Sequence, residues 1–101
     1  MENISVQELK QRKDANETLY ILDVREPSEY AEVNMGAKLI PLGQVLSGQI
    51  DDIEDWKDKE VIVHCRSGVR SLNACMMLEQ LGFINTKNLE GGIIAWVALN
   101  Q

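Results

Sequence analysis

The stretch Val61-Ile62-Val63-His64-Cys65 is followed directly by the loop Arg66-Ser67-Gly68-Val69-Arg70, and then by an apolar-rich run over 71–81. The first piece is short and rich in β-branched residues, which is typical of a buried strand. The last piece has apolar residues at helical spacing and predicts a helix that ends at Gly82. The apolar positions of that run are Leu72, Cys75, Met76, Leu78 and Leu81.

Cys65 therefore lies where a predicted strand ends and just before a predicted helix begins. The unpaired amides of a first helical turn and the helix dipole favour negative charge. They lower the pKa of a thiol, and Arg66 and Arg70 would lower it further. The pattern predicts a thiolate in an anion-binding cradle.

The rest of the chain alternates predicted helices and strands, which indicates an α/β fold with a parallel sheet. We expect one domain over residues 1–101. The predicted strands are 19–24, 38–40, 61–65 and 83–89. The predicted helices are 6–12, 27–32, 42–55 in pieces, the helix that ends at Gly82, and 93–99. In the last helix we expect Ile93, Trp96 and Val97 to face the sheet.

Composition excludes several classes of function. The net charge is −6 and the sequence pI is about 4.7, which disfavours binding to nucleic acid or to an anionic membrane surface. No apolar run approaches the roughly 20 residues of a spanning helix, and Met1-Glu2-Asn3 lacks the features of a secretory signal. Two cysteines do not form a disulfide framework, so we expect a reducing cytoplasm.

Five motifs occur in one order along most of the chain: Asp23-Val24-Arg25-Glu26, Gly36-Ala37 before Ile40-Pro41, the 65–70 loop, Leu89-Glu90-Gly91-Gly92, and Trp96. In this the chain resembles the rhodanese-like sulfurtransferases, whose loop has the form Cys-Arg-x-Gly-x-Arg/Thr. The resemblance implies a central parallel sheet of four to five strands flanked by helices on both faces. The chain departs from the family at Val33-Asn34-Met35, where Gly-His-Ile is common.

The resemblance also implies a reaction. Cys65 would be the nucleophile, and Arg66, Ser67, Gly68, Val69 and Arg70 would bind the substrate. The Cys65 thiolate would take the outer sulfur of thiosulfate or a persulfide donor and pass it to cyanide, a thiol or a partner protein. No metal or organic cofactor is implied, and the acidic run 51–55 has no calcium-loop spacing and predicts a solvated face.

Two other functions use the same residues. A phosphatase or arsenate reductase would also need a Cys–Arg loop, but thiol phosphatases place one more residue between the two than this chain does. A non-enzymatic persulfide relay or interaction module is the alternative from another class. The presence of Cys65 favours a reactive site over a purely structural module.

Three further groups have a structural and a functional interpretation. Asp23 and Arg25 either support the anion site or pair with local groups, and we favour pairing. His64 is a candidate base, but adjacent strand residues point to opposite faces, so we expect it to face away from Cys65. Cys75 is either a resolving thiol or a buried small hydrophobe, and a helical position favours the latter.

Overall fold

A computed structural model describes all residues 1–101. Its five strands form one parallel sheet in the order β1-β5-β4-β2-β3. The predicted α/β class, with helices on both faces of a central parallel sheet, is confirmed. In chain order the elements are β1 Glu2–Ile4, α1 Val6–Asp14, β2 Tyr20–Asp23, α2 Pro27–Glu32, β3 Lys38–Leu39, α3 Leu42–Leu46, a 3-10 helix Asp51–Trp56, β4 Glu60–His64, α4 Val69–Gln80, β5 Asn85–Leu89 and α5 Gly92–Leu99.

The central strand β4 is buried on both faces, as its uninterrupted apolar sequence predicts. Val61 and Val63 face the larger core, which α3 and α4 cover. Ile62 faces a smaller core that is covered by α1 and α5. This alternation fixes the side from which each residue after the strand departs.

The sequence analysis missed strand β1. It contains only three residues, of which Ile4 alone is apolar and buried, and it forms the sheet edge beside β5. Strand β5 begins later than predicted, at Asn85, because Phe83 packs in the larger core and Ile84 is exposed. In the acidic run, Ile53 is buried and its charged neighbours are exposed.

In helices α4 and α5, the residues that face the sheet differ in part from those that the apolar pattern of the sequence predicts. The buried residues of α4 are Ser71, Ala74, Cys75 and Leu78, whereas Leu72 and Met76 are exposed. Ser71 can be buried because its hydroxyl has a partner in the sheet.

On α5, Ile93 is buried and Trp96 packs against the smaller core, as predicted. Val97 does not face the sheet, which corrects that prediction. It lines an outer cleft, and Leu99 packs on the core instead.

None of the helices combines the length and the apolar character needed to cross a bilayer.

Candidate active site

Cys65 follows β4 directly, and its Sγ faces the loop that leads into α4. The amide of Gly68 donates a hydrogen bond to this Sγ over 3.1 Å. Gly68 is the N-cap of α4 and has φ of 120°, a conformation that favours glycine because it has no Cβ. The Cys65 side chain is only 1% exposed, so the sulfur lies beneath the loop.

The surroundings of the sulfur favour its ionised form. Burial raises the pKa of the Cys65 thiol, but hydrogen-bonding groups around it lower the pKa by more, so that it lies below its ordinary value. Those groups are the Ser71 hydroxyl, whose contact with the sulfur allows either atom to be the donor, and the backbone amides of Ser71, Gly68 and Ser67. Val69, the one residue of the 66–70 loop with an apolar side chain, is 70% exposed and does not contribute to this environment through its side chain.

A second layer of hydrogen bonds supports the loop from the sheet. Ser71 Oγ lies 3.4 Å from the Sγ of Cys65 and 2.5 Å from Oδ1 of Asn88 on β5. The Nδ2 of Asn88 donates to the carbonyl of Gly68 over 3.2 Å. Asn88 is buried, and it links Gly68 in the middle of the loop to Ser71, which directly follows the loop.

Helix α5 holds the start of the loop through its own first turn. The amide of Ile93 donates to the carbonyl of Cys65 over 2.9 Å, and the amide of Ile94 donates to that of Arg66 over 3.2 Å. These amides have no partner within the helix, so the contact satisfies them. The backbones approach so closely that a Cβ on Gly92 would lie 2.4 Å from the Arg66 oxygen.

Arg70 is bound to a carboxylate of α2. Its Nη1 and Nη2 donate to the two oxygens of Glu29 over 2.7 and 2.9 Å, a bidentate geometry. The Arg70 guanidinium holds the pKa of Glu29 at about 2. Glu29 also accepts from the amide of Glu26 at the start of α2, so this ion pair attaches the loop to that helix.

Asp23 and Arg25 pair with each other, as the structural interpretation expects. Arg25 donates from Nε and Nη2 to the Asp23 carboxylate, with distances of 2.8 to 3.1 Å, and Nη2 also donates to the Val33 carbonyl. Both side chains are buried. The pair therefore ties the end of β2 to the end of α2.

His64 faces away from the sulfur of Cys65. It belongs to the face of β4 that carries Ile62, and its Nε2 lies 3.5 Å from Asp23 Oδ2. Complete burial lowers the pKa of His64, and the nearby Asp23 only partly offsets this. The imidazole is thus neutral at neutral pH, without contact to the sulfur.

Arg66 differs from Arg25 and Arg70 because it makes no ion pair and no side-chain hydrogen bond. It is exposed and lines a cleft of about 570 Å³ between α2 and α5. Apolar residues of α5, such as Ile94 and Val97, line one side of the cleft, and the acidic Glu32 of α2 lines the other. The cleft is therefore a space next to the loop, and the guanidinium of Arg66 is the unpaired positive charge that it contains.

Cys75 is fully buried in the larger core, and burial raises the pKa of its thiol to about 11. A thiol in this state is a poor nucleophile at neutral pH. Both cysteines are free.

Comparison with known proteins agrees with this arrangement. Residues 5–99 match the family of the rhodanese-like domain. The chain belongs to the rhodanese-like family. It is 42% identical over 101 residues to the putative sulfurtransferase YtwF of Bacillus subtilis, covering 95% of this chain and 90% of that one. It is 36% identical to a sulfurtransferase of Allochromatium vinosum, covering 92% and 85%.

A crystal structure of a rhodanese-like domain protein from Staphylococcus aureus superposes with a TM-score of 0.83 at 33% identity, covering 95% of this chain and 91% of that one. Membership of the rhodanese-like family and relatives of this kind support sulfurtransferase activity.

Of the predicted site residues, Ser67 and Gly68 lie with their backbone amides near the sulfur of Cys65, whereas Arg70 forms an ion pair with Glu29. Four residues that complete the site are not among the predicted site residues, although Gly92 belongs to one of the five motifs: Glu29, Ser71, Asn88 and Gly92. Asn88 had one local signal, since it is an amide residue near the carboxyl end of a predicted strand. The other contacts depend on which strands and helices are neighbours.

Proposed function

We propose that this protein transfers sulfane sulfur from thiosulfate or a persulfide donor to cyanide or a thiol acceptor, through a persulfide on Cys65. The observation that carries the proposal is the Sγ of Cys65, which accepts from the Gly68 amide at the start of α4. Family membership and the lowered pKa of this thiol support the same chemistry.

In the first step the Cys65 thiolate attacks the outer sulfur of thiosulfate. A new S–S bond forms, and the old one breaks with its electron pair leaving on sulfite. The outgoing charge would be met by Arg66, which has no carboxylate partner, more than by Arg70, which binds Glu29.

In the second step the acceptor attacks the outer sulfur of the persulfide, and the S–S bond to Cys65 breaks with its electrons returning to the thiolate. The two steps are separate, so we expect ping-pong kinetics. The cleft beside Arg66 offers space for the body of an organic thiol or for a segment of a partner protein that carries a persulfide. Since a free reactive thiol persists in a reducing compartment, we propose that the protein acts in the cytoplasm.

Intact mass spectrometry after treatment with thiosulfate, or with a low-molecular-weight persulfide, tests the proposal. We expect the protein to gain one sulfur atom and to lose it when cyanide is added. Cys65→Ser should gain none, whereas Cys75→Ser is the matched control and should gain as much as the unchanged protein. Sulfur loading of Cys65→Ser, or no loading of the unchanged protein by either donor, would contradict the proposal.

A further inference from the structure

Four groups form a closed circuit of contacts with the sulfur of Cys65: the Ser71 hydroxyl, the Asn88 side-chain amide, and the backbone carbonyl and amide of Gly68. Ser71 Oγ lies 3.4 Å from Sγ, and Asn88 Oδ1 lies 2.5 Å from Ser71 Oγ. On its other side, Asn88 Nδ2 lies 3.2 Å from the oxygen of Gly68, whose amide donates to the same Sγ. Ser71 and Asn88 are both buried, so their contact with each other is shielded from water.

The direction of each hydrogen bond in this circuit follows from one carbonyl. The oxygen of Gly68 can only accept, so it must face the NH2 group of Asn88. That orientation points the Asn88 carbonyl oxygen, which also can only accept, at Ser71. A hydroxyl has one proton, and Ser71 therefore gives it to Asn88 and turns a lone pair toward the sulfur.

We propose that Asn88 is a positioning residue of the active site, which takes the hydroxyl proton of Ser71 and leaves Ser71 an acceptor toward the sulfur of Cys65. The inference rests on the proposed function only in treating Cys65 as the nucleophile. In the thiol form, S–H donates to Ser71. In the thiolate and persulfide forms the backbone amides hold the charge, and Ser71 donates to sulfur only after its bond to Asn88 breaks.

This arrangement restrains the acidity of the thiol. The Ser71 hydroxyl lowers the pKa of Cys65 in full only when it turns away from Asn88. Other charges near the sulfur stay constant when Ser71 or Asn88 is changed. The titratable and charged groups on the elements packed around Cys65 are Arg66 of the loop, Arg70 and Cys75 of α4, Glu29 of α2, Asp23 of β2 and His64 of β4.

The pKa of the Cys65 thiol can be measured without any sulfur donor, from the pH dependence of its alkylation by iodoacetamide. Mass spectrometry of the peptide that contains Cys65 separates its signal from that of Cys75. A failure of sulfur transfer would leave this measurement intact, so it tests the circuit separately from the proposed function.

The variants Ser71→Ala, Asn88→Leu and their combination give the expected pattern. Ser71→Ala keeps the bond between Asn88 and Gly68, and it should leave the pKa unchanged or lower it by up to about one unit. Asn88→Leu frees the hydroxyl to donate to the thiolate and should lower the pKa by about one unit, the size of a charge-assisted hydrogen bond. The double variant should have the pKa of Ser71→Ala alone.

Asn85→Leu, the same substitution at an exposed position of the same strand, is the matched control and should not change the pKa. A rise of the pKa in Ser71→Ala would overturn the proposal, because it would mean that the hydroxyl already donates to sulfur. An equal rise for Asn88→Leu with and without Ser71 would overturn it as well, since Asn88 would then only support the loop. Should Asn88→Leu not fold, the sign for Ser71→Ala decides.

Discussion

Replacing Gly92 with alanine is expected to push the active-site loop away from helix α5. A Cβ at this position would lie 2.4 Å from the carbonyl oxygen of Arg66 and 2.6 Å from that of Cys65. Both obstacles are backbone atoms, which cannot rotate aside as a long side chain does. The loop and the helix must therefore separate, and the peptide group of Cys65 moves with them.

The size of the effect follows from two contributions. Gly92 has φ of 58°, and a non-glycine residue in the left-handed region costs about 1–2 kcal/mol. Separation also breaks the hydrogen bonds from Ile93 to Cys65 and from Ile94 to Arg66, each of which contributes roughly 0.5–1.5 kcal/mol. Together these lower the free energy of unfolding by about 2–5 kcal/mol, a large part of the ~5–15 kcal/mol of a small domain.

Gly48→Ala is the matched control for this variant. Gly48 has φ of 78°, but a Cβ there would meet nothing within 4 Å. It should therefore show only the backbone effect of about 1–2 kcal/mol and keep full sulfur transfer. Urea unfolding gives the stabilities, and the rate of sulfur loading of Cys65 below the unfolding transition gives the effect on the site. Equal losses of stability in the two variants, with unchanged loading in Gly92→Ala, would refute the reasoning.

Two charged residues of the site give the remaining predictions. The pKa of Glu29 is about 2 beside Arg70, below its ordinary 4.5, so the ion pair stabilises the protein above pH ~4.5 and this contribution is lost as the pH falls toward 2. In urea unfolding between pH 5 and 3, Glu29→Gln should lose less stability than the unchanged protein; parallel pH profiles would argue against it. Arg66→Ala should reduce kcat/KM for thiosulfate by about 10- to 100-fold, since a hydrogen bond to a charged group contributes roughly 1.5–3 kcal/mol. A neutral sulfane-sulfur donor, such as an organic trisulfide, should be affected much less, and an equal loss with both donors would contradict the role of Arg66.

The central part of the fold could be predicted because it is local in sequence. A short β-branched strand, a loop with glycine and a helical pattern follow one another between residues 61 and 81. The alternation of side chains along β4 was enough to expect that His64 turns away from the sulfur, and the structure confirms this. The edge strand β1 could not be found in this way, because three residues with one apolar side chain carry no period.

The supporting contacts of the site could not be predicted because they join distant parts of the chain. Asn88 reaches the loop only because β5 pairs with β4, where Val63 and Asn88 are in register. Ser71 takes a buried position that an apolar pattern would assign to its neighbour Leu72, because Asn88 satisfies its hydroxyl. Gly92 becomes important only when α5 is placed against the carbonyls of the loop.

The structure changes the expected source of positive charge at the site. The sequence places three arginines near the loop, yet Arg25 is bound to Asp23 and Arg70 to Glu29. In a chain with net charge −6, Arg66 alone remains to attract an anion, while the sulfur itself is held by backbone amides. Oriented amides around one atom suit the single charge of a thiolate or persulfide. Because Arg70 is paired with Glu29, we expect the discrimination between charged and neutral sulfur donors to depend on Arg66.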